Sequence, residues 1–163
     1  MTNQWHWGIK PVSDDKNDFE NIAYNKIMNG RLKGVEEGPE TAAGLAKATL
    51  ADALSKAKEK PEMRMAVRRV CRGTARGMAD IAQDLAQTSR FLLKNLHSAS
   101  AEFGIEPKDM LLWCFEGIAD VTLLAGPGPR ANILKVIDIE FPGAGADFTE
   151  VCRKAKLKQW WTK

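Results

Sequence analysis

Arg64, Arg68, Arg72 and Arg76 recur every fourth residue, with Arg69 beside them. A guanidinium group takes phosphate or carboxylate in a two-pronged grip, so this spacing has chemical meaning if a helix brings the five together. At about 100° per residue all of them fall within roughly 140° of arc. Met63, Val67, Val70, Cys71, Thr74, Met78 and Ile81 occupy a separate arc centred roughly 140° away. One face can be buried while the other presents cations. A second basic run at 153–163 contains Arg153, Lys154, Lys156, Lys158 and Lys163 without an acid, and it includes Trp160 and Trp161. Cations interleaved with aromatics can follow a nucleic-acid strand by charge and stacking. The candidate polyanion-binding residues are therefore Arg64, Arg68, Arg69, Arg72, Arg76, Lys154 and Lys158. Each pattern also has an architectural reading. The arginines can be solvated or can answer an acidic line elsewhere, and the tryptophans can dock the last helix while its lysines reach outward.

Acidic lines are available. Asp109, Glu116 and Asp120 fall within roughly 40° of arc on one helical pattern, and acids crowd the first turn of the first helix. Glu116 and Asp120 are one turn apart. Buried together they would need a cation or a proton, because two like charges cannot both ionise at close range. A salt bridge is the more economical role. His6 and His97 are the only histidines, with no HExxH or ExxH spacing and no Ser/His/Asp or Cys/His arrangement. No catalytic residue, metal site or cofactor is assigned. Gly126-Pro-Gly-Pro129 precedes Arg130 but lacks both the Walker Lys-Ser/Thr and the GxGxxG fingerprint, so it reads as a helix-ending turn. Gly73 and Gly77 have the spacing of close helix packing, expected against the preceding helix. Cys71, Cys114 and Cys152 are odd in number and widely spaced, as expected of buried reduced thiols.

The 163 residues are 44% hydrophobic and 28% charged, which suits one globular domain. The net charge of +3 hides a strong asymmetry. Residues 56–76 set eight basic side chains against Glu59 and Glu62, whereas outside this segment and 153–163 acids outnumber bases nineteen to eleven. The N-terminus has no basic stretch leading into an apolar run, so a signal peptide is not expected. The most apolar stretch, 110–125, is too short and too charged to span a membrane. A cytoplasmic protein follows.

The elements expected to position these residues are all α-helical. An irregular segment (about 1–13) precedes a helix from about Asp14 to Met28. An alanine-faced helix follows at about 40–58. From Pro61 one apolar stripe stays in phase to Phe103, predicting a single long helix over about 61–103 capped by Gly104; a kink at Gly73–Gly77 is the rival. Residues 107–125 are apolar nearly all round and read as the buried centre of a bundle, with Trp113, Phe115, Ile118, Val121 and Leu124 inside. Ile137, Ile139 and Phe141 alternate with acids like a strand, but no second strand exists to pair with them, so 132–141 is taken as a short helix or irregular segment. Asp147 with Glu150 resembles a capping box opening a last helix at about 148–161. The fold class is a bundle of five or six helices around 61–103 and 107–125, in one domain over 1–163. The expected function is a non-enzymatic binding or assembly factor whose arginine face holds nucleic-acid backbone or another acidic surface. The alternative is a homo-oligomeric scaffold whose arginines meet acidic helices. An enzyme using Glu116 and Asp120 stands third.

Overall fold

The computed structural model describes residues 18–32, 35–81 and 84–161, with side chains to 158. The irregular N-terminal segment, the start of the first helix near Asp14, and the side chains of Trp160, Trp161 and Lys163 lie outside the described residues. Those described form seven helices and no strand: α1 (Phe19–Asn29), α2 (Gly38–Lys56), α3 (Lys60–Asp80), α4 (Leu85–Ser98), α5 (Pro107–Ala125), α6 (Pro127–Glu140) and α7 (Ala144–Trp161). One hydrophobic cluster draws on all seven, from Phe19 and Leu50 through Val70, Leu92, Phe115 and Ile137 to Phe148. A smaller one joins Ile27, Leu32, Ala42 and Met78. No helix among the described residues is long and apolar enough to cross a membrane.

The single helix expected over 61–103 is two helices. The chain stays helical through Gly73 and Gly77, so the kink is not there either; α3 ends at Asp80 and α4 starts at Leu85. The side chain of Asp84 closes the new N-terminus, accepting from the backbone N–H groups of Ala86 at 3.0 Å and Gln87 at 3.2 Å. The apolar phase survives because both helices bury one face, but they bury it in different company. α3 packs chiefly on α1 and α5, and α4 on α2 and α6. Phase reports which side of a helix is buried and says nothing about the direction of its axis.

Chain ends and turns follow local chemistry. Asp18 caps α1, its Oδ1 accepting from the Asn21 N–H at 3.2 Å. The start of α3 is a capping box between Glu59 and Glu62, with Pro61 in the first turn. At φ +102° Gly126 ends α5, and Pro127 at once opens α6. Residues 132–141 are thus helical almost throughout: Ile133 and Ile137, four apart, are buried, whereas Ile139 is 66% exposed. α7 starts at Ala144, earlier than expected. The proposed Asp147–Glu150 box is absent. Instead Gly145 donates its N–H to Asp138 Oδ1 at 2.8 Å, and Glu150 pairs with Arg153.

Three glycines set the spacing of the layers. A Cβ on Gly73 would lie 2.1 Å from the carbonyl oxygen of Glu20, and one on Gly77 would lie 2.9 Å from the Ile27 Cβ. The close partner is therefore α1, not the alanine-rich α2. On the other side, a Cβ on Gly117 would lie 2.4 Å from the Arg68 carbonyl oxygen. α3 is held tightly between α1 and α5.

Of the five residues expected inside α5, Trp113, Phe115, Ile118 and Val121 are buried, but Leu124 is 79% exposed, at the end of the helix. Ile118→Ala should destabilise by about 2–5 kcal/mol through lost transfer energy and a cavity, and Leu124→Ala by less than about 0.5 kcal/mol. Gly73→Ala should cost about 1–3 kcal/mol, because backbone on α1 must move. Urea denaturation of the three variants checks all of these.

Candidate functional site

The arginine stripe runs along the side of α3 between α1 and α5, and carboxylates meet it from both. Arg64 holds Glu116 with two prongs, its Nε donating to Oε1 at 2.8 Å and its Nη2 to Oε2. Arg68 Nη2 reaches Asp120 Oδ2 at 3.5 Å, and Arg72 Nη1 reaches the same oxygen at 2.9 Å. On the α1 side, Arg72 Nε donates to Glu20 Oε1 at 2.6 Å, and Arg76 Nη1 to Glu20 Oε2 at 2.6 Å. Arg76 also lies over the Tyr24 ring, 4.4 Å from its centroid, and the Tyr24 hydroxyl donates to Asp80 at 2.5 Å. Lys60 extends the ladder to Asp109 at 3.3 Å. The partners climb together along both helices, so α3 and α5 run parallel, as do α1 and α3.

Four of the five arginines are thus engaged within the chain. The expectation of a free cationic face gives way to an internal ladder, because acids on two flanking helices come within bonding distance. The Glu116 bond raises the Arg64 pKa further. At Arg72 burial works to lower the pKa, but Glu20 and Asp120 more than offset it. Arg69 stands apart. It turns away from the ladder and, half-buried, lines a shallow cleft with Phe19, Ala53 and Lys56. Arg68 is the least satisfied of the series, with one long bond and a buried Nε without a partner.

The other two candidates join part of this set. A cleft of about 520 Å³ opens between α3, α5 and α7, and it brings Arg64 and Arg68 together with Lys154 and Lys158. Its apolar wall is Leu112, Trp113, Val151 and Ala155, and Glu116, Asp120, Asp147 and Glu150 also line it. Arg72 and Arg76 lie outside this cleft, towards α1. The carboxylates of Glu116 and Asp120 face the cleft, but guanidinium groups already hold them. That geometry suits neither a free general acid nor a ligand for a cation.

Beyond the stripe, α7 carries the cations. Arg153, Lys154, Lys156 and Lys158 are all exposed over its last turns, with Leu157, 48% exposed, among them. Arg153 holds Glu150, which lowers the Glu150 pKa, with a weaker contribution from Lys154. Lys154 and Lys156 make no ion pair among the described residues. Lys156 and Arg130 were absent from the candidates drawn from the sequence, and only the docking of α6 beside α7 brings them together.

The three cysteines are buried and free, as expected. Burial pushes the Cys114 thiol up, and Cys71 beside it adds to the effect. The Cys114 thiol is therefore a poor nucleophile. His97, half-buried, meets the Phe141 ring edge-on at 5.0 Å between centroids.

Asp120→Ala strips Arg68 of its carboxylate and Arg72 of one of two, and should cost about 1–3 kcal/mol. Glu116→Ala frees an arginine whose side chain is already 55% exposed, so its cost should stay below about 1 kcal/mol. Arg68→Glu with Arg72→Glu sets like charges face to face and should destabilise more than either. Guanidinium denaturation midpoints rank the three.

Compared with protein-family models, with curated proteins and with solved structures, the chain matches none.

Proposed function

We propose that this protein is a non-enzymatic binding module that holds an acidic partner against the C-terminal half of α7. One observation carries the reading. Four of the five arginines of α3 are spent on the chain's own carboxylates, whereas α7 presents Lys154 and Lys156 without an ion pair among the described residues, beside exposed Leu157. A short cluster of cations around an exposed apolar residue fits an acidic protein surface better than a long nucleic-acid backbone, which is tracked by an extended basic stripe. Three buried free thiols suit a reducing, cytoplasmic setting.

The homo-oligomeric scaffold loses its motive force, since the arginines that would meet a second protomer's acids are already met by Glu20, Glu116 and Asp120. Catalysis by Glu116 and Asp120 is disfavoured because each is held by arginine.

Fluorescence anisotropy with labelled polyglutamate, duplex DNA and single-stranded DNA across a salt series tests the reading. Polyglutamate should bind and weaken steeply with salt. Lys154→Glu with Lys156→Glu should abolish binding while leaving the melting temperature unchanged within a few degrees, because exposed charges contribute little to stability. Stronger binding to DNA than to polyglutamate would move the assignment to nucleic acid. Absence of binding to all three at low salt would overturn it.

A further inference from the structure

On the flank of α7 away from the arginine ladder, α6 and α7 enclose a groove of about 480 Å³. Its lining is largely apolar, with Pro127, Ala131 and Leu134 at its surface and the buried Phe148 and Cys152 beneath them. Arg130 stands on the α6 wall and Lys156 on the α7 wall, with Arg153 next to it. Among the described residues no carboxylate lines the groove, in contrast to the four that line the cleft on the other flank. Arg130 and Lys156 make no ion pair among the described residues, and the Arg130 charge is felt at the groove floor, where it opposes the rise that burial imposes on the Cys152 thiol. Ala131 on α6 and Thr149 on α7, both small and exposed, also line it.

We infer that this groove is the anchoring site of the acidic partner: it takes a bulky apolar side chain of a peptide segment whose neighbouring Asp or Glu residues meet Arg130 and Lys156. The inference rests on the binding reading above and adds where and how the partner is gripped. Charge complementarity selects the occupant. An apolar slot flanked by cations on both walls and free of acids matches an amphipathic acidic segment, whose apolar face enters a groove between helices while its acids remain at the rim. Nucleic acid would leave the apolar floor unused. A second copy of this chain would have to place a different surface of itself in the groove, a head-to-tail contact that closes only in a ring.

The test uses two labelled helix-forming peptides, both rich in Glu, one with Leu and the other with Ala along a single face. Fluorescence anisotropy measures each against the full chain, and polyglutamate serves as the charge-only reference. The Leu peptide should bind about tenfold or more tightly than its Ala twin, from the apolar area it buries. Filling the groove by Ala131→Trp should erase that difference while polyglutamate still binds. Thr149→Trp, on the opposite wall, does the same job should the first variant fail to melt cooperatively. Equal binding of the two peptides, or a difference that survives both filled grooves, overturns the groove assignment while polyglutamate binding keeps the broader reading alive. Loss of polyglutamate binding in the unmodified chain sinks the broader reading itself. A concentration-dependent increase in mass that Ala131→Trp abolishes would assign the groove to a second copy instead and overturn the foreign peptide.

Discussion

Helix α3 cannot carry its arginines alone. Arg64, Arg68, Arg72 and Arg76 are neighbours on one face, and each like-charged pair one turn apart costs an isolated helix about 0.2–0.5 kcal/mol. Glu116 and Asp120 on α5 and Glu20 on α1 remove that repulsion from two sides. They reach the stripe because Gly73 and Gly117 let backbones approach where a methyl group would collide. The parallel course of α1, α3 and α5 follows, since any other direction would separate the ladder's partners. The return helices α2 and α4 then pack on each other, and the core fills between the two sets.

The ladder also divides the molecule chemically. Where carboxylates from two helices converge on α3, charge is consumed and Glu116 and Asp120 are tied. Most of these groups are only partly exposed, so the pairs specify register and direction more than they add stability. α7 meets α5 through Phe148 against Phe115, with ring centroids 5.4 Å apart, and its other side is left to solvent. It lies at the edge of the bundle with α6 beside its far flank, and Lys156 there makes no ion pair among the described residues. One basic segment has thus become scaffold, and the other stays exposed along α7.

Much of this was legible in the residues. The buried, nearly all-apolar α5 was bounded at Pro107 and Ala125 by its own composition and by the break at Gly126. The opposition of the arginine face to an apolar face of α3 follows from its spacing. The acids able to answer it could be named in advance as one of two readings. The division between α3 and α4 was less visible, because Asp84 is a single capping residue within a continuous apolar phase. The helix at 127–140 was obscured by a chance alternation, and only the burial of Ile133 with Ile137 separates it from a strand.

Sequence by itself determined the helical class, the main core residues of α5, and the unequal distribution of charge along the chain, because periodicity and composition are local properties. Whether the arginines faced solvent or carboxylates was decided by tertiary structure. That outcome depends on which helices run side by side and in which direction, and on the ångström-scale approach at Gly73 and Gly117. The same holds for the groove between α6 and α7: Arg130 and Lys156 are distant in the chain, and only the docking of two helix faces sets both cations over one apolar floor.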